Sequence, residues 1–224
     1  MNTGATTSTS ENGHIFIVDD DPSVRNSLAR LLRSHDFHVE AFPSACAFLE
    51  ARPSGHVPSC IVLDVKMPEL DGLELQKELA SHGICVPIIF VSGHGDVPTT
   101  VRAMKGGAID FLSKPVDEQD LLEAIRQALI QDEERQAERD EKQEILERVH
   151  NLTPREIEVF RHVIAGRLNK QIAHALGIAE KTVKVHRGRV MEKMAVESVA
   201  DLVRLAEQAG IEPAGAGSAS ANGS

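Results

Sequence analysis

Cys60-Ile-Val-Leu-Asp-Val-Lys-Met-Pro-Glu-Leu-Asp-Gly72 is the stretch that decides the fold. Ile61, Val62 and Leu63 form an apolar run too short for a helix, and Lys66-Met-Pro68 breaks the chain just after it. The pattern predicts a buried strand that ends in a loop. Asp64 stands at the end of that strand, where a parallel α/β sheet places its reactive groups. A lone Asp there is as readily a turn-former, so its meaning depends on what the neighbouring segments bring beside it.

Working outward, four more strand–helix pairs flank that stretch. Residues 14–18 are an apolar run followed at once by Asp19-Asp-Asp21 and Pro22, and Pro suits the first turn of a helix. Val24, Leu28, Leu31 and Leu32 then recur at helical spacing. Residues 39–42 predict a second strand and 45–49 a second helix; 52–59 form a Pro- and Gly-containing loop. Leu73, Leu75 and Leu79 mark the third helix, residues 86–91 the fourth strand, and Val101 and Met104 a fourth helix closing at Gly106-Gly107. Residues 108–112 predict the fifth strand, ahead of Lys114-Pro115, and Leu121, Leu122, Ile125 and Leu129 the fifth helix. Strict alternation of this kind means a parallel sheet wrapped by helices, an α/β domain over residues 14–130.

From 131 to 143 only Ala137 is apolar, so no coiled-coil seam can be drawn through that stretch. It lacks Gly and Pro and offers Glu138–Lys142, with Glu144–Arg148 just beyond, at i,i+4 spacing. Residues 131–150 therefore predict a solvated helical linker. Residues 151–209 follow as a run of four short helices, and 1–13 and 210–224 as disordered tails rich in small and polar residues.

Charge is unevenly spread over a chain of net −10. Residues 1–130 hold 10 basic against 18 acidic side chains, 131–150 hold 4 against 8, and 151–224 hold 10 against 8. Different partners for the two halves follow. No apolar run approaches the roughly 20 residues of a membrane span. The opening residues carry neither the basic cluster nor the apolar core of a secretory signal. Cys46, Cys60 and Cys85, an odd number with no Cys-x-x-Cys pair, fall in segments expected to be core or near-core. Reduced thiols and a cytoplasmic location are the expectation.

Asp19, Asp20 and Asp64 all fall at strand C-termini on one edge of the predicted sheet. Crowded carboxylates repel and raise one another's pKa, a cost that a hard divalent cation such as Mg²⁺ removes. The same metal serves phosphoryl transfer, for which an Asp carboxylate can be the nucleophile. Ser92, ending the fourth strand, offers a hydroxyl to a phosphoryl oxygen, and Lys114, ending the fifth, a point charge. Asp21 is only a helix-start acid.

Residues 14–130 resemble the receiver domain of two-component response regulators, a (βα)5, flavodoxin-like fold. Val18-Asp-Asp-Asp21, Leu63-Asp64-Val-Lys-Met-Pro68 with Asp71-Gly72, Val91-Ser92-Gly-His-Gly95 and Phe111-Leu-Ser-Lys114-Pro115 carry the likeness. It implies that Asp64 is the phospho-acceptor, that Asp19, Asp20 and the backbone carbonyl of Lys66 join it around the metal, and that Ser92 and Phe111 are a switch pair. It also implies a cis Lys114–Pro115 bond and a sensor histidine kinase as partner. Phe111 lacks the hydroxyl of the Tyr often found there, so its exposed state would be a purely apolar signal.

Leu152-Thr153-Pro-Arg-Glu156 has a capping-box pattern, with Thr153 as N-cap, Pro154 at N1 and Glu156 at N3. Ile157, Phe160, Val163 and Ile164 give that helix its apolar face; a second helix carries Ile172, Ala173 and Leu176 and stops at Gly177. A third runs from about 180 to 194. At 100° per residue, Val183, His186, Val190 and Met194 form its core face, while Lys181, Lys184, Val185 and Gly188 face outward. A short turn between two short helices, the second cationic, is the helix-turn-helix plan. Lys181 and Lys184 are placed for base edges or phosphates and Val185 for a thymine methyl. Thr182, Arg189, Asn169 and Lys170 suit phosphates.

This segment resembles the DNA-binding domain of LuxR/NarL-type regulators through Leu152-Thr-Pro-Arg-Glu156, Asn169-Lys-Gln-Ile-Ala173 and Lys181-Thr-Val-Lys-Val-His-Arg187. Gly93-His-Gly-Asp-Val97 and His186-Arg-Gly-Arg-Val-Met-Glu-Lys193 point to the FixJ branch. Two positions depart from the pattern: Ala179 stands where an N-cap Ser is common, and Gly188 lies mid-helix on the groove face. The likeness implies a transcriptional regulator, not an enzyme, that dimerises when phosphorylated and binds double-stranded promoter DNA, with RNA polymerase as a further partner. Val199, Leu202, Val203 and Ala206 offer an apolar face, part of which could serve a DNA-bound dimer. Two other readings compete. Asp19-x-Asp21 after a first strand resembles the nucleophile loop of haloacid-dehalogenase-like phosphatases, with Ser23 out of pattern. A receiver working as a phosphorylation-independent protein-binding module is the second.

Overall fold

A computed structural model of the chain describes residues 13–51, 58–93 and 96–215. Five strands, β1 (His14–Val18), β2 (His38–Phe42), β3 (Cys60–Asp64), β4 (Ile88–Ser92) and β5 (Asp110–Ser113), pair in parallel in the order β2-β1-β3-β4-β5. Helices α1 (Pro22–Ser34), α2 (Ala45–Glu50), α3 (Gly72–Ser81), α4 (Val97–Lys105) and α5 (Glu118–His150) alternate with them. The pleat sends alternate residues to opposite faces. Phe16, Ile61, Leu63 and Phe90 join one core, under α2, α3 and α4. Ile15, Ile17, Val62, Ile89 and Val91 join another, with Leu28 and Leu32 of α1 and Leu121 and Ile125 of α5. A sheet buried on both faces explains why its strands are continuous apolar runs rather than alternating ones.

Local boundaries moved where backbone chemistry required it. β4 begins at Ile88 rather than 86, because Pro87 has no N–H for the ladder, although its carbonyl accepts from Ile61 at 2.9 Å. β5 begins at Asp110, because the Ala108 N–H is used by the end of α4, on the Ala103 carbonyl at 3.2 Å. Cys85 lies in the connection before β4 and is exposed, against the near-core expectation; Cys60 is buried and Cys46 half-buried. The expected loop over 52–59 and the tail over 1–13 fall almost wholly outside the described residues.

Gly72 is fixed by close approach. Its N–H bonds to the Val65 carbonyl at 3.0 Å, and a Cβ there would stand 2.3 Å from the Asp64 carbonyl oxygen. The loop after β3 thus folds back onto the strand end that carries Asp64. Gly72→Ala is expected to cost about 2 kcal/mol, the usual scale of forced overpacking. An unchanged urea midpoint for that variant would contradict this account.

The chain divides into two units of dense contact, residues 1–135 and 136–224. The division falls inside α5, which is helical throughout although its middle is almost wholly polar. Of the two ion pairs expected on it, Glu144–Arg148 closes at 2.6 Å. The second unit holds α6 (Pro154–Ile164), α7 (Asn169–Leu176), α8 (Glu180–Lys193) and α9 (Val199–Ala209) around Phe160, Ile172, Val183, Val190 and Met194, with Ile145 from the end of α5. Leu202 and Ala206 of α9 are buried in this core and Val199 packs against it. Most of that apolar face is therefore turned inward, and half-buried Val199 and Val203 are the part of it left near the surface. Residues after 209 are not all tail: Ile211 packs against the core and the Ala214 N–H bonds to the Arg161 carbonyl at 3.0 Å.

Candidate functional site

Parallel register brings the strand C-termini to one edge. Val18 pairs with Leu63, Asp64 with Val91, and Ser92 with Ser113. Asp19, Asp64, Ser92 and Lys114 are therefore neighbours by construction. Asp19 is 1% exposed, Asp64 6% and Ser92 1%, while Asp20 is open to solvent. Oxygens of Asp19, Asp20 and Asp64 lie within 4.8 Å of one another. The Lys114 ammonium sits 2.7 Å from Asp19 Oδ2 and 3.3 Å from Asp64 Oδ1.

Three carboxylates against one ammonium leave the cluster electron-rich. Burial pushes the Asp64 carboxyl above its usual range, and Asp19 adds to the shift; Lys114 and the Lys66 backbone N–H oppose it. On Lys114, burial works against the charge but the two carboxylates outweigh it, and its pKa is raised. An all-oxygen donor set with unbalanced negative charge, one side open to water, fits a small hard cation that keeps several of its waters. Asp21 takes no part: its carboxylate caps α1, accepting from the Ser23 and Val24 N–H groups. That removes the second acid of a phosphatase-like Asp-x-Asp pair from the cluster. The Lys114–Pro115 bond is cis, as the receiver likeness implied. Phe111, half-buried, lies with its ring centroid 6.3 Å from that of Phe90.

In the second unit α7 ends at Gly177 in the left-handed conformation, φ 65°, and α8 follows after the turn. Val183, Val190 and Met194 are buried, and Lys181, Thr182, Lys184, Val185, Gly188 and Arg189 are all exposed. Val185, at 49%, is among the larger apolar side chains left open to water. A Cβ added at Gly188 would meet nothing within 4 Å.

Comparison with known proteins agrees with both halves. Residues 15–126 match the family model of the response regulator receiver domain, and 150–206 that of bacterial regulatory proteins of the luxR family. Nodulation protein W of Bradyrhizobium diazoefficiens is 48% identical over 93% of this chain and 91% of its own. The chain is a two-component response regulator. Transcriptional regulatory protein FixJ of the same organism is 45% identical, over 89% of this chain and 97% of FixJ. The structure of response regulator StyR is similar at TM-score 0.72, with 49% identity over 87% of this chain and 98% of that one. The regulator thus couples a receiver, the module a sensor kinase addresses, to a LuxR-type DNA-binding domain. The phosphatase reading and that of a phosphorylation-independent module are not favoured by this company.

Some contacts of the regulator had no signal in its sequence. Asn169, expected to be free for phosphate, accepts a hydrogen bond from Arg187 Nη1 at 3.0 Å, which ties the start of α7 to the middle of α8. Arg155 reaches from α6 to the Leu176 carbonyl at 2.8 Å and so helps close the end of α7. Glu156, beyond its role in the capping box, meets Lys193 Nζ at 2.7 Å and is 1% exposed. These pairs are 18, 21 and 37 residues apart, distances at which no periodicity argument reaches.

Proposed function

We propose that Asp64 is the phospho-acceptor of this regulator and that a sensor histidine kinase is the donor. A carboxylate oxygen of Asp64 attacks the donor's phosphorus, the phosphorus–nitrogen bond breaks, and an acyl phosphate is left on Asp64. The observation that carries this reading is the carboxylate cluster within 4.8 Å, with Lys114 against it, at the C-terminal edge of the sheet. Asp19, Asp20, Asp64 and the Lys66 carbonyl would hold Mg²⁺, which supplies charge neutralisation for the phosphoryl oxygens. Lys114 exchanges part of its present contact with the carboxylates for the incoming phosphoryl group. Ser92 lies beside Asp64 to receive a phosphoryl oxygen, and Phe111 is the aromatic partner that repacks against the first core. Covalent labelling by a small phosphodonor, mapped to one residue, tests the assignment.

The output is promoter DNA. Phosphorylation promotes a homodimer whose two α8 helices enter the major groove of a two-fold related site in the cytoplasm, where RNA polymerase is a further partner. Lys181, Lys184 and Val185 face the bases; Thr182, Arg189, Asn169 and Lys170 serve the backbone. The exposure of every α8 residue in that set supports an outward role for them, and Asn169 acts with Arg187 rather than alone. Lys184→Ala is expected to weaken a selected DNA site roughly tenfold and relax preference at one position, the usual scale of a lost base contact. Arg189→Ala should weaken all sequences alike and lower the salt slope by about one. Fluorescence anisotropy across a salt series separates the two, and equal effects on selected and random DNA for both variants would remove Lys184 from base readout.

A further inference from the structure

The receiver carries a second concavity, away from the acid cluster. It lies between α3 and the last turns of α4, with a volume of about 320 Å³. Buried Leu73 and exposed Ala80 give it an apolar lining, and a buried amide, Gln76, lines it beside them. Gln76 Nε2 donates to the Ala103 carbonyl at 3.2 Å, and the amide occupies the space a side chain at Gly106 would fill, with Oε1 2.4 Å from the ideal Cβ position there. One buried side chain thus joins the two helices and shapes the cavity.

The rim is cationic. Lys77 from α3 and Arg102 and Lys105 from α4 all line it, and among the described residues no carboxylate does. These are three of only ten basic residues in a segment, 1–130, that has eighteen acidic ones. Arg102 and Lys105 also sit in the last turn of α4, where cations offset the helix dipole. That effect does not account for Lys77, which belongs to another helix. Nor does it account for an apolar lining beside the three charges.

We propose that this cavity binds a small anion with an apolar body, such as an aryl or short acyl carboxylate. The volume lies at the lower end for small-molecule sites, which combine apolar walls with a few convergent polar groups. The apolar body covers Leu73 and Ala80, the Gln76 amide meets the polar end, and the three cations hold the carboxylate. Because Gln76 also holds the Ala103 carbonyl, occupancy bears directly on the position of α4. Nothing in the assignment depends on phosphorylation of Asp64.

The test uses the ¹⁵N-labelled full chain with 4-phenylbutyrate as probe and its neutral amide, 4-phenylbutyramide, as comparison. Saturable shifts are expected at the amides of Leu73, Gln76, Ala80 and Gly106, with the neutral probe roughly tenfold weaker because three partly screened charges are lost to it. Added salt weakens the carboxylate alone. Ala80→Phe, which crowds the apolar lining, and the combined Lys77→Glu, Arg102→Glu, Lys105→Glu variant should both lose binding; Arg126→Glu on α5 should keep it. Shifts clustered elsewhere, equal affinity for the neutral probe, or binding that survives both cavity variants would overturn the proposal. Should a variant lose its dispersed spectrum, the comparison of the two probes on the unaltered chain decides alone.

Discussion

Asp64→Asn is expected to abolish covalent labelling by acetyl phosphate in the presence of Mg²⁺, while Asp19→Asn and Lys114→Ala are expected to slow it without moving it. The asymmetry follows from the roles the geometry supports. A carboxamide at 64 has no nucleophilic oxygen to offer, so no rate remains. Asn at 19 leaves the Asp64 nucleophile in place but removes one carboxylate of the cluster and the partner that holds Lys114 at 2.7 Å. Alanine at 114 removes a preformed cation 3.3 Å from Asp64 Oδ1. Loss of one such electrostatic contact costs roughly a hundredfold in rate. Intact-mass spectrometry over a time course reads both outcomes. A label that persists in Asp64→Asn and vanishes in Asp19→Asn would move the nucleophile to β1 and revive the phosphatase reading.

Glu156→Ala is the largest expected loss of stability. The Glu156 side chain is 2% exposed and its Lys193 partner 36%. It also accepts the Thr153 N–H at 2.9 Å. Removing it frees a part-buried backbone donor and leaves an ammonium half out of water. Breaking a well-buried pair costs about 3–5 kcal/mol, and the half-open lysine places this one near the lower end, about 3 kcal/mol. Lys193 and the Thr153 N–H hold the Glu156 carboxyl down, to about 2 from its ordinary 4.5. A depressed carboxylate stabilises the fold above its unfolded pKa and ceases to do so once both forms are protonated. The Glu156 contribution is therefore whole above about pH 4.5 and fades as pH falls toward about 2. Thermal melts of the Glu156→Gln chain should be flatter than the parent's across that window. Parallel curves would sever the link between this pair and acid unfolding.

Much of the regulator was legible in its sequence because parallel sheets write themselves as apolar runs and because the strand ends gather at one edge. Asp19, Asp64, Ser92 and Lys114 could be grouped from chain order alone, since register does the rest. Caps were legible for a similar reason: Thr153 and Glu156 act within one turn. The failures share a physical cause as well. Cys85 adjoins an apolar strand, but its own position precedes the ladder. Which part of the α9 apolar face turns inward, as Leu202 and Ala206 do, only packing can settle. Arg187, Arg155 and Lys193 find their partners across helices, and charge count says nothing about where a long side chain will reach. Gln76 is the plainest case, a polar residue in a helix whose burial becomes intelligible only beside Ala103 and Gly106.

Gly188 sets a limit of another kind. From Lys181 to Gly188 the outward face of α8 is about 10 Å long, roughly three base steps of duplex. At its far end there is no side chain at all. If that face is the proposed reader, it would distinguish about one sequence in 64, or six bits, whereas a bacterial genome offers roughly a million or more competing registers. Even doubled by a two-fold partner, the address falls short of a unique location. On the proposed reading, where such a regulator acts would be governed as much by how many copies are competent at a given moment as by the letters each one reads.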